Sequence, residues 1–181
     1  MKDDEDPQQA RASVRAQQLA TDNGPLTTDN SITFHMGQFV ARFPTDRRYA
    51  KNHMWAKPLA AGEGWRFGFS AYAVRLLQDV YFLEWSIDAG APLREKQAMG
   101  AIESSKAESE LYAPLTGRLL EFNAGLLSDP SGINVDTYGA GWLFEMQGQG
   151  DSLLSPEEYL LHLRASWAIA ERTIKGQMNE S

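Results

Sequence analysis

The chain has 181 residues, 43% hydrophobic, 23% charged and 10% aromatic, which is enough for one domain with its own core and too little for two substantial ones. A formal charge of -7 argues against a nucleic-acid partner, and no run approaches the roughly 18 consecutive apolar residues of a membrane-spanning helix. With no cysteine, structural disulfides, thiolate metal sites and a cysteine nucleophile are excluded, so any redox sulfur must come from outside the twenty amino acids.

Met1-Lys2-Asp3-Asp4-Glu5-Asp6-Pro7 lacks the basic start and apolar middle of a secretory signal, so a cytoplasmic location is expected. Few residues before Phe39 offer a core anchor, and residues 1–38 read as a disordered acidic and polar tail with a transient helix through Ala10 to Leu19. From Phe39 to residue 150, short apolar runs broken by Gly and Pro predict a domain of many short strands. Trp65, Phe67 and Phe69 alternate with Arg66, Gly68 and Ser70, and Leu83, Trp85 and Ile87 alternate with Glu84, Ser86 and Asp88. That period of two predicts strands with one buried face. Between them Ala71 to Leu77 predicts two helical turns. Further strands are predicted at Met99 to Ser105, Glu108 to Tyr112, Arg118 to Phe122 and Trp142 to Met146, with a short helix at Asn123 to Leu127. Ala91-Pro92-Leu93 is echoed by Ala113-Pro114-Leu115 ahead of successive strand pairs, suggesting two similar hairpins about an approximate two-fold. In residues 151–181, Ser155-Pro156-Glu157-Glu158 carries a hydroxyl N-cap, Pro at the first helical position and a closing Glu. Tyr159, Leu163, Trp167, Ala170 and Ile174 then make one stripe of an amphipathic helix that should pack on the strand domain and fray at its end.

His35, His53 and His162 stand far apart with no helical metal-site spacing, and no metal is expected. Gly139-Ala140-Gly141 leads into a predicted strand, which suits a tight turn better than a phosphate cradle. A Ser-x-x-Lys nucleophile would need Ser where Glu103 stands. Lys106, between two predicted strands, should project from a hairpin turn. By spacing alone an ordinary exposed lysine in a salt-bridged turn is the better reading.

Glu103-Ser104-Ser105-Lys106-Ala107, followed by Ser109-Glu110-Leu111-Tyr112-Ala113-Pro114, resembles the lipoyl-attachment motif of the glycine cleavage H proteins, Glu-Ser-Val-Lys-Ala and then Ser-Asp-Leu-Tyr-Ala-Pro. His53 and Trp55 are similar to the ends of the family's His-Glu-Trp, and Gly68-Phe69-Ser70 to its Gly-Ile-Thr. Ile133-Asn134 and Tyr138-Gly139-Ala140-Gly141-Trp142 follow in register, so the resemblance runs from about Tyr49 to Ala170. Biotin carriers of the same fold usually flank the lysine with Met; Ser105 and Ala107 argue against biotin.

The resemblance implies a mainly β lipoyl/biotinyl-type barrel sandwich hybrid of two small antiparallel sheets, with flanking helices and a C-terminal amphipathic helix. It implies lipoate, covalently attached as lipoyllysine at Lys106, and Glu103 as the acidic residue that lipoylating enzymes recognise. The implied role is a non-catalytic carrier. It takes an aminomethyl group from glycine decarboxylase to a tetrahydrofolate-dependent aminomethyltransferase and presents the dithiol to dihydrolipoyl dehydrogenase. Glu110 and Asn52 are the expected contacts to the loaded arm. Met54 stands where the family carries an arm-facing Glu, and Gln78 where it commonly has Gly. Met54 favours one alternative, an H-like lipoyl carrier for lipoate relay or sulfur transfer. The other is an unmodified interaction module.

Overall fold

The computed structural model describes residues 30–60 and 62–179. The helix expected through Ala10 to Leu19 lies outside them. Among the described residues eleven strands run in chain order: β1 Ser31–Met36, β2 Phe39–Pro44, β3 Arg48–Tyr49, β4 Met54–Pro58, β5 Trp65–Phe69, β6 Val80–Trp85, β7 Pro92–Leu93, β8 Ala98–Ser104, β9 Glu108–Tyr112, β10 Gly117–Phe122 and β11 Trp142–Gly148. The helices are α1 Ala71–Leu77, α2 Ala124–Ser128, α3 Gly132–Val135 and α4 Pro156–Asn179.

The tail expected through residue 38 is corrected at its end. Ser31 to Met36 pairs antiparallel with β2, Ile32 opposite Phe43 and Phe34 opposite Ala41. Ile32, Phe34 and Met36 alternate with Ser31, Thr33 and His35, giving one apolar face, and burial of Ile32 and Phe34 offsets the entropy of ordering the hairpin.

Two antiparallel sheets form the sandwich, a six-stranded one ordered β3-β4-β5-β11-β10-β7 and a three-stranded one ordered β6-β8-β9. They close over one core in which Phe67, Phe144, Met146 and Leu119 meet Leu83, Met99, Ile102 and Leu111. The barrel sandwich implied by the sequence is therefore the observed architecture, and the β1–β2 hairpin is an addition to it. β5 is buried on both faces over its second half rather than alternating, because Trp55 lies across Gly68. A Cβ there would sit 2.5 Å from the indole. The two echoed segments precede the antiparallel pairs β8–β9 and β10–β11, and each pairs with residues just beyond the other. Lys96 N–H donates to Ala113 O, and Gly117 pairs with Leu93.

A second core joins the hairpin to α4. Tyr159 stacks on Tyr49 at 4.6 Å between ring centroids, Phe43 meets both rings edge-on, and Leu160 and Leu163 complete the apolar face. The start of α4 is set as its sequence predicts. Glu158 N–H donates to Ser155 Oγ at 3.2 Å while Ser155 N–H donates to Glu158 Oε2 at 2.7 Å, a reciprocal cap worth about 1 kcal/mol.

Candidate functional site

The turn joining β8 to β9 carries Lys106, flanked by Ser105 and Ala107, all three exposed. Ser104, the last residue of β8, is buried, and its hydroxyl organises the turn. Oγ donates to Ala107 O at 3.0 Å and accepts from the N–H groups of Lys106 at 3.3 Å and Ala107 at 3.1 Å. Ser105 fastens the turn to the loop after α1. Its N–H donates to Asp79 O at 2.9 Å, and its Oγ accepts from Asp79 N–H at 3.2 Å. Asn134 of α3 extends the tie, accepting from Val80 N–H at 3.0 Å and donating to Gln78 O at 2.5 Å. The backbone beneath Lys106 is thus held by polar groups from three elements, while the side chain is left in solvent. A serine beside an exposed lysine was legible in the sequence; the roles of Ser104, Asp79 and Asn134 were not, because each depends on which loops meet.

Glu103 sits directly across the hairpin from Glu108, so two carboxylates face one another at the foot of the turn. Like charges in register cost stability. Here they place negative charge beside the lysine ammonium. Glu110 follows on the same strand face, and its carboxylate accepts a hydrogen bond from the Tyr112 hydroxyl, which pushes the Tyr112 pKa up.

Asn52 and Glu110, the two expected arm contacts, converge on Tyr112 rather than on open space. Asn52 Nδ2 donates to Tyr112 O at 3.0 Å and lies 3.8 Å from Met54 Sδ, while Asn52 Oδ1 is buried without a hydrogen-bond partner. Met54 itself is 2% exposed and belongs to the sandwich core. The residue standing where the family carries an arm-facing Glu therefore turns inward.

Beside this corner His53 adopts a left-handed backbone with φ of 67°. Its Nδ1 meets the Tyr159 hydroxyl at 3.1 Å, and that hydroxyl also meets Ser70 Oγ at 2.9 Å. Burial, and secondarily the neighbouring His162, pulls the His53 pKa down to about 4, so the ring is neutral near pH 7. Gly139-Ala140-Gly141 forms the expected tight turn, with Gly139 and Gly141 N–H groups both donating to Asp136 O.

A sandwich of two antiparallel sheets that presents one lysine on a hydroxyl-organised hairpin tip defines the class of lipoyl-type carrier domains. Residues 47–166 match the family described as glycine cleavage H-protein, and the chain belongs to that family. It is 38% identical over 127 residues to the glycine cleavage system H protein of Myxococcus xanthus, covering 68% of this chain and 96% of that one. It is 41% identical over 104 residues to that of Beutenbergia cavernae, covering 58% and 82%. The crystal structure of a glycine cleavage system H protein from Mycobacterium marinum superposes with a TM-score of 0.56 at 34% identity, covering 65% of this chain and 95% of that one. The β1–β2 hairpin precedes the matched residues.

Proposed function

We propose that this chain is the lipoylated carrier of the glycine cleavage system, with lipoate in amide linkage to Lys106 Nζ. When bound, the group supplies a cyclic disulfide that accepts an aminomethyl group at the decarboxylase, yields it at the aminomethyltransferase and is reoxidised by dihydrolipoyl dehydrogenase. The protein's part is mechanical and electrostatic. Ser104 and Ser105 fix the anchor so that the tether alone moves, which keeps the attached group at high effective concentration near whichever enzyme is docked. Glu103, with Glu108 opposite, marks this lysine for the lipoylating enzyme.

The observation that carries this reading is Lys106 itself, exposed on a turn whose backbone amides are held by Ser104 and Asp79. Intact-mass measurement of protein from its native cell should show one lipoyl increment, absent in Lys106→Ala. An increment that survives the substitution places the arm elsewhere, and an unmodified natural chain leaves only the interaction-module reading. The buried Met54 favours a second role, carriage of lipoate or sulfur rather than of aminomethyl groups. Glycine-dependent carbon dioxide exchange with purified decarboxylase separates the two, since a fully lipoylated sample inactive in that assay would serve the second role.

A further inference from the structure

Between the β1–β2 hairpin and α1 lies a cleft of about 530 Å³, lined mostly by the polar and charged side chains of Arg75, Gln78, Asp79, Asn134 and Thr137, with Phe39 and Val74 on one wall. Its volume falls in the range of small-molecule sites. We infer that it binds a free α-amino acid, with the ligand's carboxylate on Arg75, its ammonium on Asp79 and its side chain toward Val74. The site stands apart from the carrier reading, since it uses neither Lys106 nor a group attached to it.

The first argument is a pair of charges kept apart. Arg75 lies in the last turn of α1 and Asp79 stands four residues on, the spacing at which a helix brings opposite charges side by side. The helix stops short of doing so. Gln78 takes φ 62° and ψ -132°, so the chain leaves the helical path and carries Asp79 with it. Among the described residues neither Arg75 nor Asp79 forms an ion pair, with the other or with any third residue. A backbone this unfavourable for a residue with a Cβ persists only where its surroundings hold it, and such positions cluster at ligand sites. Here Asn134 Nδ2 donates to Gln78 O at 2.5 Å, and Asp79 is fixed through its backbone, its O accepting from Ser105 N–H at 2.9 Å and its N–H donating to Ser105 Oγ at 3.2 Å. The Asp79 carboxylate takes no part in those bonds.

The second argument is what the cleft has left to offer. Asn134 uses Oδ1 on Val80 N–H and Nδ2 on Gln78 O, and Thr137 Oγ1 donates to Ile133 O at 3.0 Å, so the floor is set by bonds within the protein. Tyr138 fixes the width, its hydroxyl donating to Arg42 O of β2 at 2.7 Å and accepting from Ala71 N–H of α1 at 2.9 Å. What remains is one guanidinium and one carboxylate. The guanidinium lies over the Phe39 ring at 4.8 Å, which holds it in place without engaging an N–H group. Its planar fork matches a carboxylate, and the Asp79 carboxylate matches an ammonium. A ligand with a single charge satisfies one of the two; an α-amino acid carries both on one carbon and satisfies each. The hairpin that supplies Phe39 precedes the matched residues 47–166, so this wall lies outside the family match. Because Asp79 also holds Ser105 beside Lys106, a bound amino acid steadies the lysine turn.

Isotope-labelled full-length protein, titrated with leucine and followed by NMR at the Val74, Asp79 and Ser105 amides, tests the site. Leucine should bind with a dissociation constant on the order of 1 mM. Isocaproate, which lacks the ammonium, and isopentylamine, which lacks the carboxylate, should each bind about tenfold more weakly. Arg75→Gln should abolish the preference for leucine over isopentylamine. Asp79→Asn, which keeps the backbone bonds to Ser105, should abolish the preference over isocaproate. The two changes lie on different segments, so one misfolded variant leaves the other readable. The inference is overturned if leucine at about tenfold that concentration leaves all three amides unmoved, if either analogue binds as tightly as leucine, or if either folded variant keeps the natural preference. None of these outcomes depends on lipoylation, so a chain unmodified at Lys106 removes the carrier reading and leaves this site standing.

Discussion

The lysine turn and the Asn52–Met54 corner flank the same hairpin, and their polar groups point in opposite directions. At the turn, Ser104 and Ser105 spend their hydroxyls on backbone amides and carbonyls, so the one long side chain is released outward. At the corner, Asn52 turns to Tyr112 and Met54 fills the core, so neither of these two presents a charge. Placement of a side chain is decided by where the surrounding hydrogen bonds are satisfied, not by the polarity of the segment. The first arrangement leaves a long cationic side chain free for chemistry in solvent, and the second puts an apolar side chain into the core.

The strongest way to break the comparison is to restore the charge. Met54→Glu should cost about 3 kcal/mol or more, because the position is 2% exposed and the new carboxyl would lack a hydrogen-bond donor. Burial raises a carboxyl pKa, so the folded state holds its proton to higher pH than the unfolded one, and stability should fall further as pH rises above the ordinary carboxylate range. Urea unfolding at pH 5 and pH 8 measures both effects. A loss under about 1 kcal/mol, flat with pH, would mean that the corner opens and that the position can face a cargo after all.

Next in size is the junction of the corner with α4. His53 lies against the Tyr72 ring at 4.7 Å, the Tyr159 hydroxyl and His162, with Ser70 one bond further on. Its folded pKa of about 4 lies below the ordinary 6.5, so between those values the unfolded chain binds more protons. Stability is therefore full above pH 6.5 and falls by up to about 3 kcal/mol as pH drops to 4, with no further loss from this group below that. His53→Asn, which tolerates the left-handed backbone, should flatten that slope in thermal melts between pH 7 and pH 4. An unchanged slope would assign the acid sensitivity to other groups.

The same contrast explains how much could be read from the sequence. Glu108 to Tyr112 is a strand over the residues its pattern predicts, and Ser155 caps α4 as its motif requires, because both signals are local. Lys106 on an exposed turn follows from two strands separated by Ser105 to Ala107. The β1–β2 hairpin has a local signal ahead of the strand domain expected from Phe39 onward: Ile32, Phe34 and Met36 alternate, and Gly37-Gln38 separates them from Phe39. The burial of Met54 and the tie from Ser105 to Asp79 had no local signal. They depend on packing between residues distant in sequence.

The smallest expected effect sharpens the turn's side of the comparison. Gln78, where the family commonly has Gly, sits at φ 62° and ψ -132°, a region that favours residues without a Cβ. It is held there from both ends: its N–H donates to Val74 O at 2.8 Å, and its carbonyl accepts from Asn134 Nδ2 at 2.5 Å. Gln78→Gly relieves the side-chain strain but adds freedom to the unfolded chain, and the balance should favour the folded state by about 1 kcal/mol. Gln78→Ala keeps the Cβ and should stay within about 0.5 kcal/mol of the natural chain, so the pair separates backbone strain from loss of the amide. Urea midpoints read the difference. Because Asp79 follows directly and bonds Ser105, the relief should also slow hydrogen exchange at the Ser105 amide; equal stability of the two variants would mean that the backbone there carries no strain into the lysine turn.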